Sequence, residues 1–501
     1  MKFLVAAAAV AVAFVPGASA QTPTARFLSF GPAVISPNGN GVKDSLRVQT
    51  NGPTDLHVYG WGGRLHGWRE VASGSSVNWA GLRDGSYQVT SCYKDRGERL
   101  PPVIAPKQQR PGAAEATVSN PPWHWSGCLK KPRVVRVERL AAYVDSTRSY
   151  VPGSHPPLVV SADRGQATVK LTQDCSGRTH PGSALPRGLA TGLYHYDVSD
   201  PAGDRFRAPV VVRNATFPLD HPPSHTALLV WPYLTWRAYN GYDADLNGIP
   251  DSWYQWWRQR RVSLVGTILP GGQEDDHQAA LPFSSWLCSR KPRAESITDV
   301  ELRHVPLNVL RRYSAIVFPG HSEYYEPATY DLLKRYRDGG GHLVFLQANP
   351  FYRQVRLDRA HNAVVMTDFD AREGRSDFAL AGVGYDGCCF PRSRARPYVA
   401  AAGADFRRVA WLFRGTGIGP GQSFGYAGSE SDRIDPELTP RDHVVAARAI
   451  VAGKRGVINA ALVWSHAGRG QVLATGNYDF LRMRRSLTWT LLDNVWRKLV
   501  G

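Results

Sequence analysis

The sequence predicts a multidomain chain: two β-sandwich modules followed by an α/β domain with a mainly parallel sheet. Three observations carry this. Over residues 26–213, short apolar runs alternate with polar residues and are broken by Gly, Pro, Asn and Asp, the pattern of strands and tight turns. After residue 220, strand-like runs alternate with helix-like segments, which implies βαβ units. The 501-residue chain has 48 Gly, 36 Pro, 43% hydrophobic and 20% charged residues, so it is globular and rich in turns.

The first twenty residues, MKFLVAAAAVAVAFVPGASA, place a basic Lys2 before an apolar stretch and end in Ala18-Ser19-Ala20. This is the pattern of a secretory signal peptide cleaved after Ala20, and its apolar run is short for a membrane span. It implies a secreted or envelope-associated protein, and export permits disulfides. Of the six cysteines, Cys92 and Cys128 flank one Pro-rich segment and are the expected pair, while the others cannot be paired from sequence. Adjacent Cys388 and Cys389 are poorly placed to bond each other.

Residues 26–105 contain DLHVYGW, SVNWAGL and GSYQVTSC, short strands bounded by turn residues. Pro and Gly cluster over 106–133, a linker. RVVRVERLAAYV, PPLVVSA, QATVKLTQ, GLYHYDVSD and FRAPVVVRN over 134–213 form a second sandwich. From 220 to 501 the order is strand TALLVWP, helix SWYQWWRQRR, strand AIVFPG, helix PATYDLLKRYRDG and strand HLVFLQAN. Pro327 suits the first turn of its helix, Tyr330, Leu332, Leu333 and Tyr336 share a face, and Gly339-Gly340-Gly341 ends it. AALVWSH and QVLATGNYDF pair as strands, and SLTWTLLDNVWRKLV is a closing amphipathic helix.

A formal net charge of +18 favours acidic partners, yet the Arg residues are scattered without a Lys/Arg block or a nucleic-acid-binding motif. The charge reads as solvation or weak surface adhesion and excludes a specific nucleic-acid module. HExxH and phosphate-cradling loops are absent from the sequence. Cys388-Cys389 lie in a Gly-Asp-Gly loop, which suits disulfide pairing or burial and not a nucleophile.

Two stretches resemble known families. SPNGNGVKDS, with NWAGLRDGSYQV, resembles the Ig-like domains of exported and flagellar hook-capping proteins, which implies a spacer or adhesion unit. TWRAYNGYDADLNG, LPFSSWL, ESITDVELRH, YSAIVFPGHSEYYEPATYDLLKRYRDGGGHLVFLQANPFYRQVR, FRGTGIGPGQSFGYAGSESDRID and GRGQVLATGNYDF resemble the C-terminal domain of the N,N-dimethylformamidase large subunit. The resemblance implies a glutamine-amidotransferase-like α/β core that hydrolyses small amides with a mononuclear iron held by two Tyr and one Glu. By motif these match Tyr239, Tyr324 and Glu430. The family enzyme also uses a small second subunit.

Phenolates and a carboxylate are hard donors that suit a ferric ion, and a bound metal acidifies water and polarises a carbonyl. Tyr324 follows a strand end, where ligands bind in α/β sheets. Packing of Tyr324 and Tyr325 on the core is the alternative. His321 is a candidate acid/base and Glu323 a supporting group beside the ligands. Asn349 is a candidate hydrogen-bond donor to a carbonyl or oxyanion. Turn roles for His321 and Asn349 stay open.

YDADLNGIPDSWY sets Asp243, Asp245, Asn247 and Asp251 at positions 1, 3, 5 and 9, with Gly248 in the turn, the start of a calcium loop. Position twelve is Tyr254 and not the bidentate Glu of an EF-hand, and an Asx-turn loop is the alternative. Two functions follow: an exported metal-dependent amidohydrolase, or a non-catalytic envelope or carbohydrate-binding protein on the same core.

Overall fold

The computed structural model describes strand backbone between residues 27 and 93 and at 133–137. It further describes residues 139–501 except 163–165, 216, 218–224, 241, 243–251, 254–260, 269–279, 369–374, 391–395 and 454–455. The signal-peptide segment, most of the linker, Cys128 and residues 254–260 of the helix expected from SWYQWWRQRR lie outside the described residues, so the Cys92–Cys128 pairing does too; Arg261, the last residue of that segment, opens the Arg261–Ser263 strand.

The chain is built mostly from strands in several sheets, with few helices. The N-terminal strands form a three-stranded and a five-stranded sheet, and Val48, Leu56 and Val89 are buried. Arg133–Val137, read from sequence as opening the second module, pairs antiparallel with Gly85–Tyr93 and parallel with Val34–Ile35, inside the first. Thr179–Pro181, Thr168–Gln173, Gly192–Ser199 and Arg205–Val212 then form a four-stranded antiparallel sheet beside a two-stranded one. Alternation buries Tyr194, Tyr196 and Val198 from one strand against Phe206, Ala208 and Val210 from the next.

The large sheet has nine strands. Ala294–Thr298, Ala227–Trp231, Ala315–Phe318, His342–Phe345 and Gly470–Ala474 lie side by side and parallel. Gly456–Ala467, Asp442–Gly453, Arg396–Ala400 and Ser423–Ala427 continue it, and every pairing from Gly470–Ala474 onward is antiparallel. The expected mainly parallel sheet is therefore mixed. The physical reason is the connection: Asp442–Gly453 and Gly456–Ala467 are separated by two residues, too few for the crossover that parallel neighbours need.

The parallel half is covered on both faces, so its strands are apolar throughout. Leu228, Val230, Ile316, Phe318, Leu343 and Phe345 face the Pro327–Asp338 helix, which buries Tyr330, Leu332, Leu333 and Tyr336 as its spacing predicts. Leu229, Trp231, Val317 and Val344 face the other way, towards the Leu281–Arg290 and Arg485–Leu499 helices. Phe318 stacks on Phe345 at 4.9 Å and meets Phe351 edge-on at 5.2 Å. Truncating such a ring to Ala costs about 3–5 kcal/mol.

Candidate metal centre

The site begins where Ala315–Phe318 ends. Gly320 makes the exit possible: a Cβ there would come within 2.9 Å of Pro232 Cγ at the end of the adjacent strand. Close approach of two chains, and not a positive φ, requires the glycine. The next three residues, His321, Ser322 and Glu323, are buried. Glu323 N–H donates to Thr235 Oγ1 (3.1 Å), which fixes this loop to the Tyr233–Ala238 helix. The chain after His342–Phe345 runs alongside: Leu346 N–H donates to Phe318 O, Phe351 N–H to Ser322 O and Arg353 N–H to Glu323 O. Asn349 sits in this segment with φ +56°, a left-handed conformation that Asn tolerates better than most residues.

Glu430 arrives from far along the chain. Its strand, Ser429–Arg433, pairs with Gly384–Phe390. It is also stitched to the segment after Gly470–Ala474: Tyr478 N–H donates to Glu430 O and Asp432 N–H to Gly476 O. The C-terminal ends of three adjacent parallel strands thus bring His321, Glu323, Asn349 and Glu430 to one point, the place where open α/β sheets bind ligands.

His321, Glu323 and Glu430 form a group that could hold a metal ion, with one donor atom from each within 4.8 Å of the others. His321 Nε2 lies 3.2 Å from Glu430 Oε2 and 3.8 Å from Glu323 Oε1. Donors set about 2.1 Å from one ion are separated by roughly 3–4 Å, so these spacings fit. All three side chains are at most 5% exposed. Asn349 Nδ2 donates to Glu323 Oε1 (3.0 Å) and Glu430 Oε2 (2.5 Å) and lies 3.3 Å from His321 Nε2. Its amide is thus directed at the carboxylates. One imidazole and two carboxylates suit iron, manganese or zinc.

Tyr239 caps the end of the Tyr233–Ala238 helix, and its ring lies 5.9 Å from that of His321. Tyr324 follows Glu323 directly and packs its ring 4.6 Å from Trp253. Both are buried. Of the two-Tyr, one-Glu set that the resemblance implies, Glu430 is in the donor group, and the two Tyr stand beside it. Asp243, Asp245, Asn247 and Asp251 lie outside the described residues.

Two residues not singled out from sequence join the site. The Tyr478 ring meets His321 edge-on at 5.1 Å. Asp432, with no exposure, accepts the Asn349 backbone N–H with both oxygens (3.0 and 3.1 Å). Burial pushes its carboxyl well above the usual carboxylate range against the lowering effect of that N–H. The signal in SESDR was the two-residue spacing of Glu430 and Asp432, which shares a face only if the segment is a strand.

Among the described residues no helix is long and apolar enough to cross a membrane. Cys175 and Cys288 form a disulfide, and Cys388 is disulfide-bonded. No curated protein matches the chain. Among solved structures it is similar to a GH42 beta-galactosidase catalytic mutant from G. stearothermophilus: 14% identity over 56% of this chain and 30% of that one, TM-score 0.32. It is also similar to an exo-beta-1,4-mannosidase from Opitutaceae bacterium strain TAV5: 12% identity over 55% of this chain and 36% of that one, TM-score 0.27. The chain spans about a third of the length of these structures, and likeness at this level bears on neither fold nor activity. The family model described as N,N-dimethylformamidase beta subunit-like, C-terminal, matches residues 135–483, and the chain belongs to that family.

Proposed function

We propose that this chain is an exported, metal-dependent amidohydrolase, with Ig-like modules preceding an amidotransferase-like domain. The observation that carries the reading is the convergence of His321, Glu323 and Glu430 at adjacent strand ends. These residues would hold the ion, with Tyr239 and Tyr324 adding phenolate donors as in the family. Iron is the metal this donor set and the family favour. When bound, it supplies Lewis acidity toward an amide carbonyl and lowers the pKa of a water.

The chain's own residues prepare that chemistry. His321 and the two carboxylates are held apart at fixed spacing by the Asn349 amide. The Tyr239 and Tyr478 rings pack against His321 and restrict its rotation. Burial of the donors excludes bulk water and strengthens charge interactions within the site. The family's description as a beta subunit supports a second subunit, and the Cys175–Cys288 disulfide supports export.

The test is release of dimethylamine from N,N-dimethylformamide, and of amines from a panel of small amides, by the iron-loaded chain. Turnover that disappears in Glu323→Gln is the expected result. Metal binding without turnover of any amide, with or without a co-purified small subunit, would replace hydrolysis with the binding-protein reading.

A further inference from the structure

We infer that Asp432 is a positioning residue of the metal centre and acts through Asn349. The inference rests on the metal-centre reading above. Ser429–Arg433 is a strand, so Glu430 and Asp432 project from the same face. Glu430 is a metal donor. Asp432 lies one residue beyond Ser431, and its two oxygens take the backbone N–H of Asn349 (3.0 and 3.1 Å). Asn349 is held at φ +56°, and in that conformation its side-chain amide spans Glu323, Glu430 and His321. Asp432 is itself anchored by its own N–H to Gly476 O, beside the turn that brings Tyr478 against His321.

One buried carboxyl group therefore sets the backbone of the residue whose side chain spaces all three donors. A centre of this kind tolerates about 0.5 Å of displacement, so loosening Asn349 spreads the donors. Replacing Asp432 also leaves a buried N–H seeking a new acceptor, and rotation of Asn349 toward one is the expected relief. The Asn349 Oδ1 atom has no hydrogen-bond partner among the described residues, so no hydrogen bond on that side of the amide is lost in the rotation.

The test is a double-mutant cycle on the full chain. Ferric iron affinity is measured by chelator competition, and the iron spectrum is recorded beside it. Asp432→Leu, Asn349→Gly and the double variant are compared with wild type; Leu at 432 fills the site without an acceptor, and Gly at 349 keeps the positive φ and removes the amide. Asp432→Leu is expected to weaken iron binding by about 10–100-fold and to alter the spectrum. The double variant is expected to bind within about 3-fold of Asn349→Gly alone, because the two act in series. Asp432→Ala is the second variant should Asp432→Leu not fold. Unchanged affinity and spectrum in the Asp432 variants, or effects that simply add in the double variant, would overturn the inference and leave the metal centre standing. A purely structural role lowers the melting temperature but not the affinity of the folded fraction, which also overturns it. A wild-type chain that binds no iron overturns the metal centre and this inference together.

Discussion

The Cys175–Cys288 disulfide joins the turn after the Thr168–Gln173 strand to the Leu281–Arg290 helix, across 113 residues. It thereby ties the small antiparallel sheet to the α/β domain. Cross-linking a loop of that length removes unfolded-chain entropy equivalent to about 4.8 kcal/mol at 25 °C. Both cysteines are half-buried, so Ser at each position creates little cavity or desolvation cost and the cross-link dominates the difference. Other ties remain: Ser149 N–H donates to Glu301 Oε2 (2.8 Å), Thr298 Oγ1 donates to Thr147 O (3.2 Å), and Leu193 and Val211 share a core with Leu287. Cys175→Ser/Cys288→Ser is therefore expected to stay folded but to lose about 3–5 kcal/mol in guanidinium unfolding, through a lower midpoint. A midpoint and slope indistinguishable from oxidised wild type would refute the reasoning that this cross-link restrains the unfolded chain.

Three further outcomes are expected. Burial holds the Asp299 carboxyl well above its ordinary value against the N–H groups of Leu234, Val300 and Tyr233 that face it, with nearby Glu326 adding to the rise. The folded state thus binds that proton more tightly, and its stabilising effect is complete below the unfolded value near pH ~4 and fades as pH rises towards the folded value. Asp299→Asn should remove up to about 1.4 kcal/mol per pH unit of that decline, and a pH–stability slope equal to wild type would count against it. Gly476 has φ +59°, and a Cβ there would lie 2.0 Å from the Ala461 carbonyl oxygen. Gly476→Ala should cost more than about 4 kcal/mol and show as loss of soluble protein; a melting temperature within about 2 °C of wild type contradicts this. Tyr324→Phe should weaken and shift the visible phenolate-to-iron absorption of the iron-loaded chain, leaving the Tyr239 contribution, while the carboxylates retain the ion. An unchanged spectrum removes Tyr324 from the ligands.

Much of the local structure was legible because it depends on local pattern. Pro327 and Gly339 bracket a helix whose buried face follows from its spacing, and AIVF and HLVF are apolar because both sheet faces are covered. Placing a site at the end of AIVF followed from the abrupt change to His, Ser, Glu and Tyr. What sequence could not supply was the long-range pairing. Glu430 reaches Glu323 only through the register of Ser429–Arg433 against Gly476–Tyr478, and nothing local sets that register. His321 and Glu323 therefore read as neighbours of the metal ligands, whereas the structure gathers them with Glu430 into one group that could hold an ion. The antiparallel half of the large sheet, the Cys175–Cys288 pairing and the return of Arg133–Val137 to the first module were hidden for the same reason.

The most direct test of the account is the metal content of purified residues 21–501, with wild type beside Glu323→Gln and Glu430→Gln. Each variant keeps side-chain volume and removes one buried charge. The account predicts close to one transition-metal ion per wild-type chain and loss of the ion in both variants, with the fold retained. A wild type without metal, or variants that retain it in full, would contradict the claim that His321, Glu323 and Glu430 form a metal centre.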